Sequence, residues 1–229
     1  VVISTGENDT AALTYTANGS YSNPAVIPEP GKVYRITVDV DGYPQATAQD
    51  SLPRPVFVDS VTYTARAGKY DDGIDFNRYS VWFRDIPGRT WYSVQILKGD
   101  TVENKLEYWA IDIFSTDPVI SAEGITGEDY NSWFVFSDTL ISNRVYCLKI
   151  DAGSDYDTEK ARVLLVSGTY PYYQYLKRLI RNDSYSWEDP FKPYNPVPLY
   201  SNIKNGLGVF AGFRCKPFNL EISNTDDGE

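Results

Sequence analysis

Residues 78–97, RYSVWFRDIPGRTWYSVQIL, decide how the chain is read. Two runs of strand length, 78–84 and 90–97, are rich in Tyr, Val, Trp, Phe and Ile, and Pro87-Gly88 separates them. Branched and aromatic side chains fit a pleated, half-buried surface, and a Pro-Gly pair marks a turn. The pattern continues in both directions. Residues 56–65, 105–114, 133–137, 144–150 and 161–166 have the same length and composition, with turn residues at 98–100, 142–143 and 151–158. Amphipathic segments of helix length are missing between these runs, so antiparallel pairing follows more naturally than parallel βαβ units. The expected fold class is all-β, built from immunoglobulin-like or fibronectin-like β-sandwich modules.

The N-terminal part reads the same way. Residues 13–16 alternate, Asn18-Gly19 is a hairpin signal, and the run from Arg35 to the Asp41-Gly42 turn places Ile36, Val38 and Val40 toward one core. Ser51-Leu52-Pro53-Arg54-Pro55 interrupts the pattern and reads as a linker or a crossing between sheets. It divides the chain into a first unit, 1–52, and a larger sandwich domain, 53–229.

One segment departs from β periodicity. Tyr172, Tyr173, Tyr175, Leu176, Leu179 and Ile180 recur at helical spacing, with Lys177, Arg178 and Arg181 between them. Thr169 is a candidate N-cap, Pro171 fits a first turn, and Asn182-Asp183 is a stop, giving an amphipathic helix over 170–181 that plugs one end of the sandwich. After it comes DPFKPYNPVPLYSNIKNGLGVFAGF, residues 189–213. Its prolines at 190, 193, 196 and 198 favour an extended strap over 189–203. Asp189 and Asn202 are expected to satisfy nearby backbone groups, Gly206 and Gly208 to let the chain reverse, and two final strands to follow at 207–212 and 213–222.

Composition excludes several classes of function. The chain of 229 residues can bury a substantial core, but it contains no His, so Ser-His-Asp and Cys-His chemistry cannot be assembled within it. The commonest transition-metal ligand is missing for the same reason, and no zinc, iron or copper site is expected. A formal charge of −10 leaves no basic footprint for nucleic acid and opposes adsorption to anionic lipid. No apolar run approaches the roughly 20 residues of a membrane helix. A chain without Met that opens on Val1-Val2-Ile3 looks like a mature or trimmed product, and a membrane anchor would lie upstream. Cys147 and Cys215 admit either one disulfide or two buried thiols, and neither is taken as catalytic, since the chain has no His to activate a thiol.

Candidate ligand sites are few. Asp151, Asp155, Asp157 and Glu159 alternate around a Gly turn and could offer oxygen ligands to Ca²⁺, although an EF-hand's full spacing is lacking; a solvated hairpin tip is the competing reading. Asp71-Asp72-Gly73-Ile74-Asp75 is a similar case. Among 31 acidic residues some pair will meet the separation of about 5–10 Å used in glycoside hydrolysis, yet no motif singles one out. No catalytic residue is assigned. Aromatic side chains can stack on sugars or peptides, and Trp91, Trp109, Trp133 and Trp187 are candidates. The ligand-contacting set is taken as Trp187, in the polar loop 182–188, with Tyr172, Tyr173 and Tyr175.

Several of these landmarks together resemble a known family. Pro28-Glu29-Pro30-Gly31-Lys32-Val33-Tyr34-Arg35 precedes a strand, and a linker with Pro53 precedes Asp59-Ser60-Val61. Tyr172-Tyr173-Gln174-Tyr175 opens the helix, and the Asp-Pro-Phe … Pro … Ser-Asn-Ile … Gly-x-Gly-x-Phe text closes the chain. On these residues the chain resembles the Bacteroidota lipoproteins grouped as "domain of unknown function 4249". Asn205, where many relatives carry Gly, departs from the pattern but tolerates the same left-handed turn. The resemblance implies an outer-membrane, lipid-anchored, surface-exposed protein whose first unit, 1–52, keeps the later strands of an immunoglobulin-like domain. Genes of the family commonly neighbour TonB-dependent receptors, so the resemblance also implies a receptor of that kind as partner and a role in nutrient uptake by binding. A structural or adhesive cell-surface β-sandwich protein is the alternative. The family carries no established catalytic residues or cofactor.

Overall fold

A computed structural model describes residues 1–5, 9–71, 73–124, 131–154, 158–187 and 197–222. The first strands are β1 (Val2–Ser4), β2 (Thr10–Ala12), β3 (Thr14–Tyr15), β4 (Tyr21–Ser22), β5 (Val33–Val38) and β6 (Ala46–Ser51). They form an antiparallel sheet in the order β2-β1-β5-β6, while β3 and β4 pair as a separate hairpin around Asn18-Gly19. On β5 the covered hydrophobic side chains are Tyr34, buried, and Ile36 and Val38, half-buried. The expectation for Val40 fails: the strand ends at Val38, the Val40 carbonyl accepts the Tyr43 amide in a turn, and Val40 is exposed.

The larger part begins with β7 (Val58–Lys69), β8 (Asp75–Arg84), β9 (Trp91–Val102), β10 (Lys105–Ala110) and β11 (Ile113–Phe114). A four-residue helix α1 (Pro118–Ser121), β12 (Phe134–Ser137), β13 (Val145–Gly153) and β14 (Lys160–Gly168) follow. Helix α2 (Tyr170–Trp187), β15 (Phe213–Cys215) and β16 (Phe218–Glu221) close the chain. One sheet runs β11-β13-β8-β7. The other is built on β10-β9-β14, with β12 added to β9 and both β15 and β16 added to β14. All pairings are antiparallel. The all-β, sandwich-like reading is borne out.

Alternation explains why these sheets stack. Tyr79, Val81 and Phe83 of β8 and Leu148 and Ile150 of β13 are essentially solvent-free, as are Tyr92, Val94 and Ile96 of β9 and Ala161, Val163 and Leu165 of β14. Each set sits two residues apart, on one face of its strand, and together they form a single apolar cluster. Full burial of one such side chain contributes about 1.5–3 kcal/mol. Phe83 meets Tyr92 edge-on with ring centroids 5.5 Å apart, and Tyr92 stacks on Phe136 at 5.2 Å.

The opposite face of β9 receives the helix. Tyr172 reaches Ser93, hydroxyl to hydroxyl at 3.0 Å, and Tyr173 lies 6.4 Å from the Trp91 ring. Helix α2 therefore covers the outer side of the β9–β12 region as a third layer instead of plugging an end of the sandwich. It also runs past the expected stop at Asn182-Asp183 to Trp187. Asn182 could have ended the helix by bonding to its own backbone. Instead its amide clamps Val197 on the returning chain, donating to the carbonyl at 2.9 Å and accepting from the amide at 2.8 Å.

The C-terminal ending differs from expectation at two places. Residues 207–212 form no strand, because side chains take the backbone groups a ladder would use. Asn202 donates to the Phe210 carbonyl at 2.8 Å and accepts from its amide at 2.9 Å, while the Gly212 amide goes to Asp50 at 2.8 Å. The expected strand 213–222 is divided at Lys216-Pro217 into β15 and β16, both paired with β14 in one continuous register. Proline has no N–H for the ladder, which accounts for the gap. From Val197 the strap runs without regular structure until Lys204 bridges Thr47 on the outer edge of β6. Asn205 has φ of 58° and donates to the Gln45 carbonyl at 3.0 Å. Its earlier part, including Asp189, lies outside the described residues.

Candidate functional site

Where the first sheet meets the sandwich, three separate stretches of chain line an open cleft of about 710 Å³. The end of β6 and the following link supply Asp50, Leu52 and Arg54. The turn before β9 supplies Gly88 and Arg89, β9 opens with Trp91, and the head of α2 supplies Thr169 and Tyr170. Each piece is placed by backbone geometry already described: β14 ends beside Trp91, which pairs with Gly168, and α2 starts two residues later.

Aromatic rings line one side. Trp91 and Tyr170 lie 5.3 Å apart, and Tyr170 is 46% exposed. Tyr200 on the returning strap extends the row, 6.3 Å from Tyr170, and the Arg178 guanidinium lies 5.6 Å over its ring. Arg89 lies 5.4 Å over Trp91, within cation–π range.

The nearby carboxylates are already engaged. Asp50 accepts the Thr169 hydroxyl and the Gly212 amide. Asp85 accepts the Tyr92 hydroxyl at 2.5 Å and the Asn143 amide at 2.7 Å. Burial, and then the Asp85 hydrogen bond, push the Tyr92 phenol well above its usual value. Asp138 accepts the Thr90 amide at 2.8 Å. Burial raises its pKa; the Thr90 amide and the charge of Arg89 oppose that rise, while the charge of Asp85 adds to it. Arg54 and Arg89 are exposed, and among the described residues neither has a carboxylate ion-pair partner.

Behind the cleft is a buried polar cluster. Glu123 accepts the Tyr173 hydroxyl, the Lys177 ammonium at 2.6 Å and the Ser137 amide at 2.9 Å. Lys177 also donates to the Tyr173 oxygen at 2.8 Å. Burial raises the Glu123 carboxyl, but the bonds from Lys177, Tyr173 and Ser137 outweigh it and the net shift is downward. The Tyr173 phenol is pushed up, first by burial and then by its bond to Glu123. These groups satisfy one another and fix the helix to the sheet.

Of the sequence-derived ligand set, Tyr172 is half-buried, bonded to Ser93 and stacked on Phe213 at 5.2 Å. Tyr173 is buried in the cluster just described, and Tyr175 is half-buried on the helix. Trp187 belongs by its backbone to the last turn of α2, not to a loop; its side chain lies outside the described residues. In the proposed calcium loop, Asp155 and Asp157 also lie outside them. Asp151 is buried and holds Arg78 through two bonds of 2.6 and 2.8 Å, while Glu159 is exposed. Among the described residues no three His, Cys, Asp or Glu side chains gather as a metal site. Cys147 and Cys215 are free thiols on opposite sheets. Burial raises the Cys147 thiol above its usual value.

The tyrosine that lines the cleft is thus Tyr170, with Tyr200 next to it, and the tryptophan is Trp91, which the sequence did flag. Arg54 and Arg89 carried no local signal: each sits beside prolines or a Pro-Gly turn that read only as linkers.

The family described as Domain of unknown function (DUF4249) matches residues 1–216, and the chain belongs to it. No curated protein and no solved structure matches the chain.

Proposed function

Starting from membership of this family, we propose that the chain is a non-enzymatic binding protein of the outer-membrane surface. It is held there by a lipid on a segment upstream and works beside a TonB-dependent receptor in nutrient uptake. The cleft at the sheet junction is the observation that carries the binding reading. A concavity of about 710 Å³ is the size of a small-molecule site. Its rings and guanidinium groups are presented to solvent, whereas a protein that adheres through a broad surface has no need of one. The engagement of Asp50, Asp85, Glu123 and Asp151 in framework hydrogen bonds supports binding over acid–base chemistry. Among the described residues no helix is long and apolar enough to cross a membrane.

The test is isolation of the tagged protein, with its native leader, from membranes of its own host under mild detergent. A TonB-dependent receptor should co-purify, and metabolic labelling should place a lipid on the mature chain. Recovery without any outer-membrane barrel, or an unlipidated protein in the cytoplasm, would overturn the reading.

A further inference from the structure

We infer that the cleft binds a small anion carried on a ring, an acidic sugar or an aromatic acid, with its charge on Arg54 and Arg89 and its ring face on Trp91 and Tyr170. The inference deepens the binding reading above and rests on it.

The charge balance comes first. The whole chain carries −10, yet the cleft is lined by two arginines and one aspartate. That aspartate is Asp50, whose carboxylate already receives the Thr169 hydroxyl and the Gly212 amide. Asp138, the acid that feels the charge of Arg89, is itself buried and receives the Thr90 amide. The two guanidinium groups are left as the exposed charge of a concave site, and their planar forks match carboxylate geometry.

The shape and the rings restrict the ligand further. Trp91 and Tyr170 present adjacent aromatic surfaces at the cleft, where a sugar ring or an aromatic ring gains contact without needing a deep pocket. An extended peptide is less well served. Peptides that add to a sheet need a free strand edge. The β6 edge near the cleft is occupied, since Thr47 exchanges backbone bonds with Lys204 at 3.1 and 2.8 Å and Gly212 is packed against Ser51.

The proposal is tested by calorimetric titration of the purified protein with trigalacturonate and with 2,3-dihydroxybenzoate. Their uncharged counterparts, galactotriose and 2,3-dihydroxybenzyl alcohol, are titrated in parallel. At least one acid should bind, should weaken as salt rises, and should bind more tightly than its neutral counterpart. Which acid binds distinguishes a saccharide source from an aromatic one. The double substitution R54S/R89S, at two exposed positions, should weaken that acid by about tenfold or more while lowering the melting temperature by no more than a few degrees, the loss of the Arg89 contact with Trp91. Tyr170→Ala should weaken it independently, and serves in place of Trp91→Ala, which also removes packing against Tyr173. Equal binding of acid and neutral compound, binding untouched by R54S/R89S and Tyr170→Ala, or no binding of either acid would each overturn the inference. Receptor co-purification, measured on the parent protein alongside its titrations, separates the two readings. A receptor still captured while neither acid binds would sink the ligand assignment alone, whereas a parent protein that captures no receptor would sink the uptake role alone.

Discussion

Gly212 lies against Ser51 so closely that a Cβ added to it would fall on the Ser51 carbonyl oxygen, 2.9 Å from the carbonyl carbon. The same glycine donates its amide to Asp50, 162 residues earlier, and accepts the Thr169 amide at 3.1 Å. A C-terminal loop, the end of β6 and the head of α2 are thereby locked at one point, and that point forms one wall of the cleft.

Gly212→Ala should therefore destabilise the protein by roughly 2–3 kcal/mol, because a backbone carbonyl cannot rotate away as a side chain would. Gly208 makes a useful contrast: its φ is +119° but a Cβ there would meet open space. Gly208→Val should cost more than about 1 kcal/mol from backbone strain alone. Urea denaturation of the two variants checks both, and a Gly212→Ala protein as stable as the parent would show that this junction is not packed as described.

Glu123 supplies a prediction in pH. Its folded-state pKa lies below the usual 4.5. A depressed carboxylate contributes stability above its unfolded value and loses it as pH falls through the folded one. Glu123→Gln leaves Lys177 without its anion in a largely buried place and should cost roughly 3 kcal/mol at neutral pH. The gap between parent and variant should narrow as pH drops below 4.5. Parallel melts across the acid range would show a gap independent of pH if the ion pair were unimportant.

Asp151→Asn removes the anion that Arg78 grips through two hydrogen bonds, and a loss of about 2–3 kcal/mol is expected. Calcium should not raise the melting temperature of the parent, since the buried carboxylate is already engaged. A calcium-dependent rise that Asp151→Asn abolishes would reinstate this residue as a metal ligand.

Reductant should leave the melting curve unchanged, because Cys147 on β13 and Cys215 on β15 are separate thiols. A thiol reagent should count two free groups in the denatured protein. A melting temperature lowered by reductant would point to a disulfide.

The sequence by itself determined most strands of the sandwich, because an apolar side chain at every second position is a local property and buries one face wherever the partner lies; the run 105–114, expected as one strand, is instead divided between β10 and β11 on different sheets. The same holds for the existence of α2, whose Tyr173, Leu176 and Ile180 fall on one helical face. What the tertiary structure decided is where competing hydrogen bonds went. Asn182 chose Val197 over its own helix, so α2 continued; Asn202 took Phe210, so 207–212 did not become a strand. Tyr172 and Tyr173 turned inward because Ser93 and Glu123 waited for their hydroxyls. The cleft was equally invisible, for Asp50 and Thr169 are 119 residues apart and Arg54, Arg89 and Tyr170 meet only there. Local periodicity fixes which face of an element is apolar; which polar groups find each other depends on contacts between segments distant in sequence, and those exist only once the sheets have stacked.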